Sequence, residues 1–376
     1  MSTIHWIETH PRSARWHSES GLPLPRTVVV ADDRMRAAVA YRLACEGTAL
    51  LWRGDFHNAR QLLSALDRRV GRTAPGAVDT AAETFRLQRR FRAHRARVLG
   101  KLLVLLDAEH GLDLRRAPDV RRAAVEAYGD FDGPLAVALS ELLGVVSARQ
   151  WREKGVHVPA LEARIHPHYG VFAPTRSEYV DLVAQAPLPR GGRDVRVAFD
   201  LGTGTGVLAA LLARRGVGQV VATDVSARAR ACARDNVGRL GLSGAVRVES
   251  GAELYPPGRA DLVVCNPPWI PGRPASDLDL GVYDAGGGML QGFLSGLAER
   301  LEPGGEGWLV LSDLAERLGL RSREQLMTVV GDAGLRVVGR LDARPRHARA
   351  RDTDDPLHAV RAAEVTSLWR LALPVA

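Results

Sequence analysis

The chain carries Asp200-Leu201-Gly202-Thr203-Gly204-Thr205-Gly206 between the apolar run Val195 to Phe199 and the helical pattern of Val207 to Arg215. Such a joint predicts a buried strand, a tight turn and a helix whose backbone N–H groups a ligand can approach. Position 207 is valine, so the dinucleotide fingerprint G-x-G-x-x-G is incomplete, and no P-loop pattern occurs. The acidic Asp200 would repel a pyrophosphate but suits a ligand with an ammonium group or a ribose.

The alternation of strands and helices continues from this turn toward the C-terminus. We predict further strands over 219–223, 246–249, 261–265, 307–311, 335–341 and 365–373, and helices over 226–240 and 289–301. The last two strands are expected to form an antiparallel pair, joined by an exposed polar loop over 342–363. This pattern predicts an α/β, Rossmann-like parallel sheet.

Two more polar features are expected at the carboxyl ends of these strands, where open α/β sheets bind ligands. Asp224 closes the second strand; it could accept hydrogen bonds from ribose hydroxyls or cap the helix starting at Ser226. The fourth strand runs into Asn266-Pro267-Pro268-Trp269. The prolines fix this turn and leave the Asn266 side-chain oxygen and the Pro267 carbonyl free to accept hydrogen bonds. Two acceptors beside the flat Trp269 ring predict a site for a planar NH2 group.

Together, these features resemble the class I S-adenosylmethionine-dependent methyltransferases of the branch that carries N-P-P-[YFW]. The resemblance covers about residues 165–376 and implies a seven-stranded methyltransferase sheet. The pattern is most similar to release-factor glutamine methyltransferases and to ribosomal RNA base N-methyltransferases. It departs from the former in two places: Trp269 stands where they usually have tyrosine, and their segment F-x-P-R-P-E-T is here Phe172-Ala173-Pro174-Thr175-Arg176-Ser177-Glu178, with the arginine displaced by one position and the second proline absent.

The resemblance implies methyl transfer from S-adenosyl-L-methionine to a glutamine amide of a protein or to an exocyclic amine of an RNA or DNA base. Asn266, Pro267 and Trp269 are then expected to be catalytic, by positioning and electrostatics rather than by a strong base. The expected cofactor-binding residues are Asp200, Gly202, Thr203, Gly204, Gly206, Asp224, Glu253, Asn266, Phe172 and Thr175. Glu253 is equally consistent with a surface residue, and the segment of Phe172 and Thr175 with an ordinary linker. No metal site is predicted, because His166 and His168 lack a third ligand at metal spacing.

The part before residue 155 has helical periodicity. We expect an all-helical substrate-recognition domain over 1–155 and a methyltransferase domain over 156–376, whose approach segment is 156–192. Helices are predicted over 34–51, 58–70, 83–109, 120–128 and 134–150, and a hinge over 187–192.

The predicted helix over 83–109 is rich in arginine. It carries Arg86, Arg89, Arg90, Arg92, Arg95, Arg97 and Lys101 against the single acid Glu83 in its first part. A macromolecular acceptor, RNA or a translation protein, could dock on this surface through its anionic groups. The alternative is a solvated helix face in an arginine-rich protein.

Composition limits the class of protein. The chain has 376 residues, 46% hydrophobic and 25% charged, with a net charge of +8. It has no apolar run near the ~18 residues of a membrane span, and its first 17 residues lack the apolar segment of a signal peptide. Three scattered cysteines form neither a disulfide framework nor a zinc cluster. We therefore expect a cytoplasmic protein with no membrane partner.

Two other functions stay open on the sequence alone. A small-molecule N-methyltransferase of a biosynthetic pathway would need a closed, apolar acceptor pocket. A catalytically silent scaffold could bind the cofactor and serve as an RNA-binding or assembly partner, although the intact Asn266-Pro267-Pro268-Trp269 turn argues against it.

Overall fold

The computed structural model describes residues 2–189, 195–274 and 278–374. The chain forms two compact units, one of residues up to 79 and 83–150, the other of residues 80–82 and from 151 onward. Residues 190–192 of the predicted hinge lie outside the described residues. In the described part, no helix is both long and apolar enough to cross a membrane.

The first unit is an α/β structure, and the expectation of an all-helical domain was wrong. It contains a six-stranded sheet in the order β1-β2-β6-β5-β4-β3, in which β3, β4 and β5 run parallel. Its strands are β1 Thr3–Ile7, β2 Pro11–Trp16, β3 Val28–Ala31, β4 Ala49–Trp52, β5 Leu102–Leu106 and β6 Leu135–Ala138; its helices are α1 Ala37–Cys45, α2 Phe56–Gly71, α3 Ala81–Leu99, α4 Arg121–Tyr128 and α5 Leu139–Lys154.

The first unit was predicted as helical for a physical reason. Strands β4 (ALLW) and β6 (LAVA) are buried at every residue, and β5 (LLVLL) at four of its five. Strands covered on both faces show no alternation of apolar and polar residues, so periodicity cannot distinguish them from buried helix. Three predicted helices therefore ran into strands: 34–51 into β4, 83–109 into β5, and 134–150 began with β6. The predictions over 58–70 and 120–128 correspond to α2 and α4.

The second unit confirms the α/β, Rossmann-like expectation. Its main sheet has the order β11-β10-β9-β12-β15-β17-β16, and its first five strands are parallel. Strand β17 runs antiparallel to β15 and β16, as predicted for the closing pair. The strands are β9 Val197–Leu201, β10 Gln219–Thr223, β11 Val246–Val248, β12 Ala260–Cys265, β15 Leu301–Ser312, β16 Arg336–Ala343 and β17 Thr366–Ala372.

Helices and two small strand pairs complete this unit. The pairs are β7 Val156–Val158 with β8 Ala163–Ile165, and β13 Ile270–Pro271 with β14 Tyr283–Asp284. The helices are α6 Glu178–Gln185, α7 Val207–Arg214, α8 Ala227–Arg239, α9 Gly288–Arg300, α10 Leu314–Arg317, α11 Arg323–Asp332 and α12 His358–Ala362. The stretch 342–363 is not simply an exposed loop, because it contains α12 and buries Leu357 and Arg361.

Apolar layers on both faces hold the central strands in place. One face of the sheet packs with Leu208 and Leu212 of α7, and the other with Phe293 and Leu297 of α9. All six residues of β12 are buried. The end of β12 is therefore a fixed point from which the next residues project.

Candidate active site

The register of three strands brings the predicted motifs to one edge of the sheet. Leu201 of β9 is paired with Thr223 of β10 on one side and with Cys265 of β12 on the other. Gly202, Asp224 and Asn266 are the next residues of these strands. Neighbouring strands lie about 4.8 Å apart, so the three residues begin adjacent loops at the carboxyl edge.

Backbone hydrogen bonds shape the glycine-rich turn. The N–H groups of Gly202 and Thr203 both donate to the Thr223 carbonyl at 2.9 Å, which ties the turn to β10. Gly204 has a φ of +53°, and a Cβ added there would have no atom within 4 Å, so space is open beside this residue. Gly206 precedes α7 with a φ of +81°, and an added Cβ would come 3.2 Å from the Ala233 Cα. Glycine is required at 206 both for its φ and for this close approach.

Asp200 is a buried carboxylate with one oxygen uncommitted. The residue is only 1% exposed. Oδ2 accepts hydrogen bonds from the Thr203 hydroxyl at 2.6 Å and from the Ala209 N–H at 3.0 Å, while no described residue donates to Oδ1. Burial raises the pKa of Asp200 to about 6, although the two hydrogen bonds act to lower it. An uncompensated buried oxygen fits a donor or a cation supplied by a ligand.

Asp224 supports the turn and keeps capacity for a ligand. Oδ2 accepts from the Gly204 N–H and Oδ1 from the Ser226 N–H, both at 2.9 Å. Burial raises the pKa of this carboxyl group, and the two backbone hydrogen bonds lower it. The residue that caps α8 is Ser226, whose side chain accepts from the Ala229 N–H. Each carboxylate oxygen has a second lone pair, so two hydroxyl groups could still be bound.

The Asn266 side chain is oriented by a neighbour in its own turn. The indole N–H of Trp269 donates to Asn266 Oδ1 at 2.9 Å. Because this contact needs an acceptor, it identifies the oxygen of the carboxamide. Pro267 is buried, whereas Asn266 and Trp269 are half-buried. The guanidinium carbon of Arg176 lies 5.2 Å from the centroid of the Trp269 ring.

Two residues that the sequence analysis did not single out lie beside the glycine-rich turn. The Met289 side chain packs against Gly202, where an added Cβ would come 2.3 Å from Met289 Cε. Asp284 accepts from the N–H groups of Met289 and Leu290, at 3.0 and 3.2 Å from Oδ2, and so caps α9. Asp284 is in β14, which pairs with Ile270–Pro271 directly after the Trp269 turn. No local spacing indicated these contacts, since they depend on the fold of 270–290.

The remaining predicted residues lie in surface positions. Phe172 is 40% exposed and contacts Gly281, and Thr175 is exposed. Glu253 is also exposed; the next residue, Leu254, accepts from the Thr223 hydroxyl at 2.7 Å, which brings this loop to the end of β10.

The two histidines of the approach segment have structural partners. His168 Nε2 lies 3.1 Å from Asp235 Oδ2, and His166 Nδ1 lies 2.6 Å from the Arg152 carbonyl. The first contact holds the approach segment against α8, and the second ties it to the last turn of α5. Over the described ranges, no three histidine, cysteine or acidic side chains are placed to share a metal ion.

The chain is similar in sequence to known methyltransferases. The family described as Methyltransferase small domain matches residues 162–331. The release factor glutamine methyltransferase of Xylella fastidiosa (strain Temecula1) is 32% identical over 255 residues, which cover 62% of this chain and 88% of that protein.

Two shorter similarities involve other acceptors. The ribosomal protein L11 methyltransferase of Pelotomaculum thermopropionicum is 49% identical over 69 residues, 18% of this chain and 22% of that protein. The ribosomal RNA small subunit methyltransferase C of Alcanivorax borkumensis is 34% identical over 114 residues, 30% of this chain and 31% of that protein. In both cases the chain matches less than a third of the relative's length.

Proposed function

Since the chain belongs to the class I S-adenosylmethionine-dependent methyltransferases, we propose that it methylates a planar NH2 group held at the Asn266-Pro267-Pro268-Trp269 turn. The observation that carries this proposal is the shared sheet edge, at which the loops beginning with Gly202, Asp224 and Asn266 lie side by side. When bound, S-adenosylmethionine supplies an electrophilic methyl group on a positively charged sulfur.

The residues around the glycine-rich turn fit this cofactor. The uncommitted Oδ1 of Asp200 would accept from its ammonium group, and Asp224 would accept from its ribose hydroxyls. The open space beside Gly204 lets a ligand approach the backbone of the turn. The cofactor would also contact Gly202, Thr203 and Gly206 of the same turn. At the edge of the site it would meet Phe172, Thr175 and Glu253.

On the acceptor side, Asn266 and Pro267 would bind the NH2 group. One lone pair of Asn266 Oδ1 is used by Trp269, and the other is free for an acceptor N–H. The Pro267 carbonyl would take the second N–H. Two such bonds would localise the nitrogen lone pair and direct it out of the acceptor plane, toward the methyl group. A strong base is not needed, because the methylated cation of an amide or aryl amine is itself a strong acid.

We further propose that the acceptor is part of a macromolecule that docks on the first unit. Helix α3 exposes Arg86, Arg90, Arg92 and Arg97, and the neighbouring α2 exposes Arg60 and Arg68. Arg95 is paired with Asp67 at 2.5 Å, so its charge is compensated. The excess positive charge favours RNA over a glutamine-bearing protein as the docking partner. A cytoplasmic location, where RNA and translation proteins are both present as acceptors, is part of the same proposal.

Radiolabelled methyl transfer into an extract tests the proposal. The extract should come from cells lacking this protein, so that its acceptor sites are unmethylated. Label in protease-resistant RNA would support base methylation, and label in a nuclease-resistant protein band would support glutamine methylation. Label only in small molecules would contradict a macromolecular acceptor. Transfer by wild type but not by Asn266→Ala is expected; a phenotype that survives Asn266→Ala would favour the non-catalytic scaffold.

The docking surface needs its own test. The triple variant R86Q/R90Q/R97Q should bind RNA more weakly, and the slope of log affinity against log salt should fall in magnitude by about 2 to 3. The matched control R26Q/R34Q/R122Q removes three exposed arginines elsewhere on the same unit. Equal effects of the two triple variants would show that only total charge matters and would refute a docking surface on α3.

A further inference from the structure

The two departures from the release-factor glutamine methyltransferase pattern are in contact in the structure. Arg176 is the displaced arginine of the approach segment, and Trp269 is the replacement for tyrosine. The guanidinium carbon of Arg176 lies 5.2 Å from the Trp269 ring centroid, within the range of a cation–π contact. Arg176 thus covers the ring whose N–H orients Asn266.

A buried carboxylate fixes Arg176 in this position. Arg176 Nη1 donates to Glu364 Oε1 at 2.8 Å, and Glu364 is 0% exposed. The Ser312 hydroxyl donates to the same oxygen at 2.6 Å, and no described residue donates to Oε2. The other nearby cation, Arg361, is bound to Asp355 at 2.8 Å. Arg176 is therefore the main counter-charge of Glu364, and moving it away would leave a buried charge uncompensated.

We infer that Arg176 and Glu364 are positioning residues of the methyl transfer, which act on Asn266 through Trp269. This inference rests on the proposed function, because it assigns them to the acceptor side of that same site. Glu364 holds the guanidinium, the guanidinium holds the indole plane, and the indole N–H holds the carboxamide oxygen. Asn266 then presents its remaining lone pair in a fixed direction before an acceptor arrives.

Each link of this chain uses a geometry that a substitute would lose. A planar guanidinium can lie over an indole and still donate in its own plane to Glu364, whereas a lysine ammonium has no plane to stack. The indole offers one N–H in a fixed direction, which phenylalanine lacks. The acceptor side of the site therefore depends on a residue 188 positions away from Arg176 in sequence.

The first test combines kinetics with a spectroscopic signal. The chain has seven tryptophans, so the NMR spectrum of 15N-labelled protein contains seven indole N–H signals. The signal that disappears in Trp269→Phe is the one from Trp269. In Arg176→Ala we expect this signal to shift and to exchange faster, kcat to fall about tenfold, and cofactor affinity to stay within about threefold. The signal shift and the loss of kcat in Arg176→Lys should lie between those of wild type and Arg176→Ala. The control Arg340→Ala removes an arginine that lies 4.5 Å from the Trp369 ring of β17, on which Arg323 remains at 4.9 Å. It should leave the Trp269 signal and kcat unchanged.

The second test asks whether the residues act through one another. If Arg176 acts through the indole N–H, Arg176→Ala should cost less than about threefold in kcat when Trp269 is already phenylalanine. The double variant R176A/E364Q removes both charges, so it keeps the test available if Arg176→Ala alone fails to fold.

Several outcomes would overturn the inference. They are an unchanged Trp269 signal in Arg176→Ala, a changed signal with wild-type kcat, or fully additive losses of kcat in the double variant R176A/W269F. Failure of the proposed function is distinguishable, because wild type itself would then transfer no methyl group to any NH2 acceptor, whatever residue 176 is.

Discussion

Replacing Asp200 by asparagine should stabilise the folded protein while damaging its site. The carboxylate is buried, one of its oxygens has no described donor, and burial raises its pKa from the ordinary 3.8 to about 6. Each unit of pKa difference between folded and unfolded chain is worth about 1.4 kcal/mol, so ionised Asp200 costs the cofactor-free fold about 3 kcal/mol. Asparagine can still accept from Thr203 and Ala209 through its oxygen, without the buried charge.

The gain should depend on pH in a defined way. Below about pH 4, Asp200 is protonated in both the folded and the unfolded chain, so its charge contributes no difference. From about pH 4 to about 6, the unfolded chain releases the proton while the folded chain keeps it, and wild type loses stability relative to D200N. Above about pH 6 the difference reaches its full value.

Urea denaturation of the cofactor-free protein between pH 4 and 8 measures this difference. The exposed Asp354→Asn is the matched control and should follow wild type at every pH. Saturating S-adenosylmethionine should raise the melting temperature of wild type much more than that of D200N. A D200N variant that is no more stable than wild type at pH 8, or whose gain in stability is the same at pH 4, would refute a cost of the buried charge.

Three further predictions concern the edge of the sheet. Asn266→Ala should lower methyl transfer at least about 100-fold, because the side chain acts on the acceptor. Cofactor affinity, measured by calorimetry, should change less than about tenfold. Equal losses of activity and cofactor affinity would contradict a role on the acceptor side. Asp224→Ala should weaken cofactor binding at least about tenfold, as judged by calorimetry, and wild-type affinity would exclude it from the ribose site. Gly206→Ala should lower the free energy of unfolding by about 1–3 kcal/mol because of its positive φ and the contact with Ala233, whereas Gly331→Ala within α11, with open space around it, should raise it by about 0.5–1 kcal/mol.

The sequence predicted the second unit because its signals are local. A strand, a glycine-rich turn and a helix follow each other within about 20 residues around Asp200, and the register of β9, β10 and β12 then places Asp224 and Asn266 beside the turn. The first unit was mispredicted because β4, β5 and β6 are short, uniformly apolar strands. The pair Arg176 and Glu364 could not be predicted, since no pattern along the chain connects an approach segment to the residues before β17.

The order of strands in the two sheets has a consequence for synthesis. Every strand of the first sheet lies before residue 139, so this unit can fold while the rest of the chain is still being translated. In the second sheet, β9 pairs with β10 about 20 residues later, but its other neighbour, β12, emerges only after more than 60 residues. Until then, β9 presents an open edge containing Val197, Phe199 and Leu201. The strand that carries Asp200 therefore stays open to aggregation on the ribosome until β12 has emerged, and a chaperone would matter during this interval.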